Sequence, residues 1–408
     1  MSATATSQRV IGFIAWLIAF HVLLAYGLPE WLFASLVIVL GILYYRIGVF
    51  GAATVSLTLV VITVVYGAAL KVTGFEDKIY YRPDEKYGSF DYTNNHRIYQ
   101  STVHTVMDMP HGDLGAMTSE NIAEPRRTRF DTDADGFRNE RDYHGQRFVL
   151  VGDSFAAGSS NSQEDVLVAQ LARDYSLDAY SLAYPGNVAD YAAYVRGFVK
   201  RHGSNARVLL FLFEGNDFEE SRGRNASALA RFGRRYFGLF SDFNTYRVTM
   251  SLYKRFTRGR DIHAGSGVEF IELGEKKMAF YKEYVDVTRR VQLREPEGFE
   301  QAMESMRPYI ERVYFIPTKY RVYSRHMKLG ASLPNAQWDY LNGICRKYTF
   351  RCSDLTAPLV RESDRLLKHG EFTWWRDDTH WNQYGIAVAA RVVASDLEPL
   401  QGKEKRPR

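Results

Sequence analysis

The strongest constraint on the fold is a regular alternation of two kinds of segment along residues 146–400. Short apolar runs bounded by turn residues are typical of strands that are buried on both faces. These runs lie at 147–152, 178–184, 206–213, 311–316 and 350–355. Segments with helical spacing of apolar residues lie at 163–174, 188–202, 297–309, 335–348 and 382–397. Since strands that alternate with helices form parallel sheets covered on both faces, we predict a three-layer α/β/α domain.

The beginning of the chain has a different character. Three runs, 10–28, 31–45 and 47–70, contain no Asp, Glu, Lys or Arg. About 20 apolar residues span a bilayer as a helix. The shorter second run can also cross if Arg46 extends toward the head groups. A signal peptide followed by a buried helix is the alternative. We predict a membrane anchor of about three helices over 1–70.

The arginines near these runs predict their orientation. Arg9 precedes the first run and Arg46 separates the second from the third. Positive charge beside membrane helices favours the cytoplasmic side. Three crossings then leave the N-terminus in the cytoplasm and residues 71–408 in an extracytoplasmic compartment such as the periplasm.

Three segments lie outside the alternation. Residues 71–145 are polar and irregular, and we predict a membrane-proximal linker packed on the main domain. Residues 220–295 interrupt the domain as a basic helical insertion, and 401–408 form a basic tail that we expect to be disordered. Within the insertion, 222–260 holds ten Arg or Lys and a single acid, Asp242.

The basic insertion has two interpretations. It is either a solvated helical surface or a surface for anionic glycans or lipid head groups, since basic amphipathic helices favour membrane interfaces. Nucleic acid is the usual partner of such a patch. The predicted extracytoplasmic location argues against nucleic acid here.

The two cysteines, Cys345 and Cys352, suit the same compartment. A pair at this spacing can form a disulfide in an oxidising environment, and a free buried pair is the alternative. Two cysteines without clustered histidines make a zinc site a poor prediction. We predict no metal and no cofactor.

Two motifs contain the residue types of a nucleophilic site. Ser154 stands in "VGDSF", directly after the first predicted strand, and a serine hydroxyl becomes nucleophilic only when a base removes its proton. The segment "WWRDDTHWNQYG" holds Asp377, Asp378 and His380 just before the last predicted helix. A carboxylate close to a histidine can fix its tautomer and stabilise the imidazolium. These residues can therefore form a catalytic triad.

Acyl transfer also needs hydrogen-bond donors for the developing oxyanion. Gly186 in "YPGN" can present a backbone N–H, Asn216 in "FEGNDF" can present a side-chain amide, and the amide of Ser154 is a third candidate. Each follows a predicted strand. Parallel strands bring such residues to the same edge of the sheet.

The sequence resembles the SGNH (GDSL-type) hydrolase superfamily over about 145–397. The residues that carry the resemblance are, in the family's order, Gly152-Asp153-Ser154, Gly186, Gly215-Asn216-Asp217 and Asp377-Asp378-Thr379-His380. The resemblance implies a flavodoxin-like domain with Ser154 as nucleophile, His380 and an aspartate completing the triad, and Gly186 and Asn216 as oxyanion donors.

The resemblance leaves the choice of aspartate open. The common family pattern puts the acid three residues before the histidine, at Asp377. The "DTHW" spelling is similar to membrane-linked polysaccharide O-acetyltransferases, whose acid stands two before, at Asp378, and we favour Asp378. That branch places its Asp-His ahead of its Ser, however, so this closer resemblance is partial. We expect the unused aspartate to be solvated or to cap the last helix.

A competing motif lies at 131–142, where "DTDADGFRNERD" has the spacing of a calcium loop. Asp142 replaces the usual glutamate at its last position, and Arg138 stands where a hydrophobic residue is expected. No clear helix precedes the loop. We favour a structural role, with Arg138 as a candidate buttress of the site.

These observations predict a membrane-anchored, extracytoplasmic serine esterase or O-acyltransferase. The expected substrate is an acyl ester, most simply O-acetyl, of a cell-envelope glycan or a lipid-linked compound. Transfer to a sugar hydroxyl would require a membrane partner that supplies the acyl donor. The alternative is a catalytically silent glycan-binding or scaffold module of an envelope polysaccharide assembly.

Overall fold

The computed structural model describes residues 82–91, 96–118, 120–218, 267–327 and 332–402, with isolated positions at 48, 51, 54 and 58. The chain divides into two compact units, 1–80 with 224–262 and 81–223 with 263–408. Every strand and helix named below belongs to the second unit. None of the helices among the described residues has the length and apolar character needed to cross a membrane. The predicted spans at 10–28 and 31–45, nearly all of 47–70, and the basic segment 222–260 lie outside the described residues.

In chain order the strands are β1 (Gly88–Asp91), β2 (His96–Tyr99), β3 (His104–Met109), β4 (Arg126–Asp131), β5 (Phe148–Val151), β6 (Ala179–Ser181), β7 (Arg207–Phe213), β8 (Val268–Leu273), β9 (Lys276–Tyr281), β10 (Ile310–Ile316) and β11 (Cys352–Asp354). The helices are α1 (Leu167–Tyr175), α2 (Val188–His202), α3 (Lys282–Thr288), α4 (Phe299–Met306), α5 (Lys319–Tyr323), α6 (Ala336–Tyr348), α7 (Thr356–Leu367) and α8 (Gln383–Gly402).

Five of these strands form one parallel sheet in the order β11-β10-β7-β5-β6. Counted along the chain this is the order 2-1-3-4-5, which is compatible with a flavodoxin-like domain. The predicted parallel sheet is therefore confirmed. The strand order reverses between β5 and β7, and in such sheets ligands bind beyond the carboxyl ends of the strands at this point.

The core lies on both faces of the sheet. Along β7, Leu209, Phe211 and Phe213 belong to a core shared with α1, α7 and α8. Val208, Leu210 and Leu212 belong to the opposite core, shared with α2, α4 and α6. Because successive side chains of a strand point to opposite faces, one continuous apolar run fills both cores. This arrangement is the predicted three-layer packing.

The N-terminus of α2 is fixed by its own sequence. The Asn187 side chain accepts hydrogen bonds from the backbone N–H groups of Ala189 and Asp190, while Asp190 accepts one from the Asn187 N–H. This reciprocal capping box satisfies donors that the first helical turn leaves unpaired. It also fixes the backbone directly after Gly186.

The segments outside the sheet differ from expectation. Residues 71–145, expected to be irregular, contain the antiparallel pairs β1–β2 and β3–β4. The described end of the insertion 220–295 begins with an antiparallel hairpin, β8–β9, and continues into the short helix α3. Gly274 in the hairpin turn has φ +64°, a conformation that glycine adopts at low cost. In β4 the buried positions include Thr128 and Asp131, so polar residues stand where a half-buried strand is expected to carry apolar ones.

Two details concern the end of the domain. The sequence left open whether Cys345 and Cys352 are free thiols or a disulfide. They form a disulfide that joins α6 to β11. Helix α8 continues to Gly402 and so includes the first two residues of the expected disordered tail, while 403–408 lie outside the described residues.

Candidate active site

Ser154 stands in a tight turn at the carboxyl end of β5. A Cβ atom on Gly152 would lie 2.8 Å from the carbonyl oxygen of Phe211, so only glycine fits where the chain leaves the sheet. The turn is closed by backbone hydrogen bonds from Ala157 to Asp153 and from Ser159 to Ser154. Ser154 is half-buried, whereas its neighbours are buried. The turn therefore presents one hydroxyl at the edge of the sheet.

His380 links this serine to an aspartate. The Ser154 Oγ lies 2.8 Å from His380 Nε2, and His380 Nδ1 lies 2.7 Å from Asp378 Oδ1. With Nδ1–H donated to the carboxylate, Nε2 is free to accept the serine proton. His380 is 2% exposed and Asp378 is fully buried, so water competes little for these bonds. This is the geometry of a nucleophile, a base and an orienting acid.

Asp378 is stabilised in its ionised form. Its Oδ2 accepts hydrogen bonds from the Ser160 hydroxyl at 2.7 Å, the Arg126 guanidinium at 2.8 Å and the Asp113 N–H at 3.2 Å. Burial alone would raise the pKa of Asp378. The hydrogen bond from His380 and the charges of His380 and Arg126 outweigh burial and hold this pKa far below its usual range.

Asp377, the other predicted candidate, does not contact His380. Its Oδ1 accepts a hydrogen bond from Arg126, and its Oδ2 accepts bonds from the N–H groups of Gly112 and Glu124. The side chain is fully buried, so the expectation that the unused aspartate is solvated or caps the last helix is wrong. Asp377 instead attaches the loop that carries Asp378 and His380 to Arg126 and to the segment before β4.

Lys319 holds the same loop from the other side. Its ammonium donates to the backbone carbonyls of Trp375, Arg376 and Asp378 at 2.7, 3.1 and 3.0 Å. Three donors meet three acceptors, which is the full capacity of an ammonium group. Burial lowers the pKa of Lys319 to about 7.

The predicted oxyanion donors lie at the same sheet edge as Ser154. Parallel hydrogen bonding between β5 and β6 extends beyond the ends of both strands. The last such bond runs from the Tyr184 N–H to the Gly152 carbonyl at 3.2 Å. Gly186 and Ser154 each follow that pair by two residues. Asn216 follows β7, the other neighbour of β5, and its Nδ2 donates to Asp153 Oδ2 at 3.4 Å. The sheet thus gathers all three predicted donors.

A cleft of about 570 Å³ opens beside this edge. Asn216 and Thr379 lie in its wall next to the triad, and Tyr281 and Tyr284 line it from the hairpin and α3. Arg82, which pairs with Asp113 at 2.6 Å, also lines it. The wall of the cleft therefore combines aromatic rings with polar and charged side chains.

No family model matches the sequence, and no curated protein matches it either.

Several residues that support the site, most of them before β5, were not predicted from the sequence. Arg126 contacts both aspartates and stacks on Trp375, with its guanidinium 4.4 Å from the ring centroid. Asp113 accepts hydrogen bonds from the Thr379 N–H and hydroxyl. Ser160, which bonds Asp378, was also missed. No local spacing marks these residues, because their partners are distant in sequence.

The acids of the alternative calcium loop contact separate partners. Asp131 pairs with His104, Asp135 with Arg201 and His202, and Asp133 accepts from the Asn139 side chain. Arg138, proposed as a buttress, donates to the carbonyls of Ala157, Gly158 and Asn161. Arg138 therefore supports the turn that follows Ser154.

Among the described residues, Asp113, Asp378 and His380 place potential metal-ligand atoms within 4.8 Å of one another. Both carboxylates are also bonded to arginines, Asp113 to Arg82 and Asp378 to Arg126. A cation here would have to displace those contacts and the His380–Asp378 hydrogen bond. This cluster is accounted for by the triad and its supports.

Proposed function

We propose that this protein is a serine esterase or O-acyltransferase of the SGNH type, anchored in a membrane with its flavodoxin-like domain outside the cytoplasm. The observation that carries the proposal is the continuous chain of hydrogen bonds from Ser154 through His380 to Asp378, at 2.8 and 2.7 Å. A structural serine needs no buried histidine as partner, and a histidine paired with a buried carboxylate at this distance is a base ready to accept a proton.

The first half of the reaction forms an acyl-enzyme. Ser154 Oγ attacks the ester carbonyl while His380 Nε2 takes the hydroxyl proton, and Asp378 stabilises the resulting imidazolium. Negative charge on the former carbonyl oxygen is met by the Gly186 N–H, the Asn216 Nδ2 group and the Ser154 N–H. When the intermediate collapses, His380 returns the proton to the departing alcohol.

The second half transfers the acyl group. His380 removes a proton from water or from a sugar hydroxyl, whose oxygen attacks the acyl-serine, and Ser154 leaves with that proton. Hydrolysis and transfer use the same protein groups, so the acceptor in the cleft decides between them. The tyrosines and charged groups of the cleft support an acceptor rich in hydroxyls, in keeping with an O-acetylated envelope glycan or lipid-linked compound.

A silent glycan-binding module, the alternative from the sequence, draws support from the cleft alone. The triad argues against it, because glycan binding does not require a serine, a histidine and a buried aspartate that are joined by hydrogen bonds. A donor-supplying membrane partner is part of the proposal only for the transferase activity.

The test compares three forms of the full chain in detergent: wild type, Ser154→Ala and Ser305→Ala. Ser305 lies on α4 and bonds only its own helix, through the Ala302 carbonyl, in the described contacts. A fluorophosphonate probe and p-nitrophenyl acetate are given to each. We expect labelling and nitrophenol release by wild type and Ser305→Ala, and neither by Ser154→Ala. Equal labelling of Ser154→Ala would refute the proposal.

A further inference from the structure

The Gly186–Asn187 peptide is held at both of its polar atoms. The Asn187 N–H donates to Asp190 Oδ2 at 3.1 Å, and the Gly186 carbonyl accepts from the Tyr191 hydroxyl at 3.2 Å. A Cβ atom on Gly186 would lie 3.0 Å from the Asp190 side chain and from the Tyr194 hydroxyl, so the space around this residue is filled. The backbone of Gly186 is therefore fixed by side chains of the first turns of α2.

Tyr191 reaches further, to the strand on the other side of β5. Its hydroxyl lies 2.7 Å from Asp217 Oδ1, and both side chains are fully buried. Asp217 Oδ2 accepts the Phe213 N–H at 2.7 Å, while the Asp217 N–H donates to the Phe213 carbonyl. Asp217 thus closes the turn that presents Asn216.

The protons of this chain can be assigned from its contacts. The Tyr191 hydroxyl has one proton but faces two acceptors, Asp217 Oδ1 and the Gly186 carbonyl. If Asp217 carries a proton, it donates to Tyr191, and Tyr191 donates to Gly186, so every bond is made. Burial, and then the nearby charge of Asp153, raise the pKa of Asp217 well above its usual value, in agreement with that assignment.

We propose that Asp217 and Tyr191 form a buried strut that holds the Gly186 backbone and the Asn216 turn in a fixed relation across the end of β5. The strut is a positioning element. Its catalytic meaning rests on the proposed function, in which Gly186 and Asn216 stabilise the oxyanion. An oxyanion hole works through donors placed in advance of the reaction, so loosening either donor should lower kcat more than it raises KM.

The key variant is Tyr191→Phe, which removes one hydroxyl and keeps the ring. Tyr348→Phe is its matched control, because Tyr348 is also buried and donates to a carboxylate, Glu300, at the same 2.7 Å, but stands at the end of α6 and outside the strut. Asp217→Ala removes the other half of the strut. Asp217→Asn is the conservative replacement, since its amide accepts from Phe213 and donates to Tyr191.

Two measurements on the full chain test the strut and the proposed enzyme activity independently. Hydrogen exchange of segments 184–190 and 213–218 reports the strut, and turnover of p-nitrophenyl acetate reports its catalytic effect. For Tyr191→Phe we expect exchange in 184–190 to be about tenfold faster and kcat about tenfold lower, with KM within about twofold. Tyr348→Phe should match wild type, and Asp217→Asn should recover most of what Asp217→Ala loses.

Each outcome has a distinct meaning. Unchanged exchange in Tyr191→Phe overturns the strut, and faster exchange with unchanged kcat overturns its role in catalysis. If wild type neither turns over the ester nor reacts with a fluorophosphonate, while Tyr191→Phe still exchanges faster, the strut stands and the proposed function fails.

Discussion

The two sides of the candidate site are held by different kinds of interaction. Ser154 is placed chiefly by the backbone, through parallel strand pairing and a tight turn. The loop that carries Asp378 and His380 is placed by distant charged side chains, above all Arg126 and Lys319. The nucleophile side depends on the fold as a whole, whereas the acid–base side depends on a few ionic contacts.

This difference predicts how the two sides fail. Strand pairing is spread over many backbone hydrogen bonds, so one substitution disturbs it only by destabilising the domain. When one member of a buried ion pair is removed, the charge of the other member is left uncompensated. The loss of folding free energy is then far larger than for an average contact. A single substitution among these contacts should therefore both displace the loop that carries Asp378 and His380 and lower the stability of the domain.

The largest effect is expected from the two neighbouring aspartates. Asp378→Asn should lower kcat/KM about 10³–10⁴-fold, because an amide favours the wrong histidine tautomer and cannot stabilise the imidazolium. Asp377→Asn, which never meets His380, should lower it about tenfold at most by loosening the loop. Ester hydrolysis by the two variants measures this difference directly. Equal losses would show that Asp377 shares the acid's role.

A smaller effect is expected at Arg126. Arg126→Ala should lower kcat/KM about 10–100-fold. The charge of Arg126 helps to lower the pKa of Asp378, so its loss favours proton binding by the coupled Asp378–His380 pair. The acid limb of the pH–rate profile should therefore move to higher pH. Arg127→Ala is the control, since Arg127 is the next residue of β4, is 75% exposed and pairs only at the surface. An unmoved acid limb in Arg126→Ala would contradict this account.

The smallest effect is expected at Lys319 and concerns stability. Its pKa falls from the usual 10.5 to about 7 in the folded state, so between these values the unfolded chain holds the extra proton. The free energy of unfolding should then rise with pH across that window, by at most about 1.4 kcal/mol per pH unit. Below pH 7 the cost of burying the ammonium is constant.

Thermal unfolding midpoints at pH 7 and 9.5 check this slope. Lys319→Met should lose the part of the rise that Lys319 causes, whereas Lys276→Met should keep it, because Lys276 is exposed and, within the described part of the chain, donates to a single carbonyl, that of Gly370. A wild-type slope in Lys319→Met would show that other groups cause the pH dependence.

The sheet and the residues at its edge were predictable because their signals are local. The run at 206–213 is continuous and apolar, and it corresponds to β7 within one residue. Ser154 and Asn216 follow such runs directly, so a parallel sheet had to place them at one edge. The shorter strands β6 and β11 were predicted too long, since flanking apolar residues continue the pattern beyond the paired segment.

The support of the acid was not predictable in this way. Arg126 and Asp378 are separated by 252 residues, and no spacing rule connects them. In the sequence Arg126 is one of three arginines in "RRTR", and its contact with Asp378 depends on the pairing of β4 with β3. The choice between Asp377 and Asp378 likewise needed the direction of each carboxylate, which neighbouring positions in a loop do not reveal.

The contact of Arg126 with both aspartates has a consequence for where this chain can be cut. A fragment beginning at residue 146 would keep the whole parallel sheet, Ser154 and His380, and would look complete by its motifs. It would also contain two fully buried carboxylates whose guanidinium partner had been left behind. The smallest piece that keeps the site and its ionic support therefore begins before β4, so the boundary of the site does not coincide with the boundary of the repeating architecture.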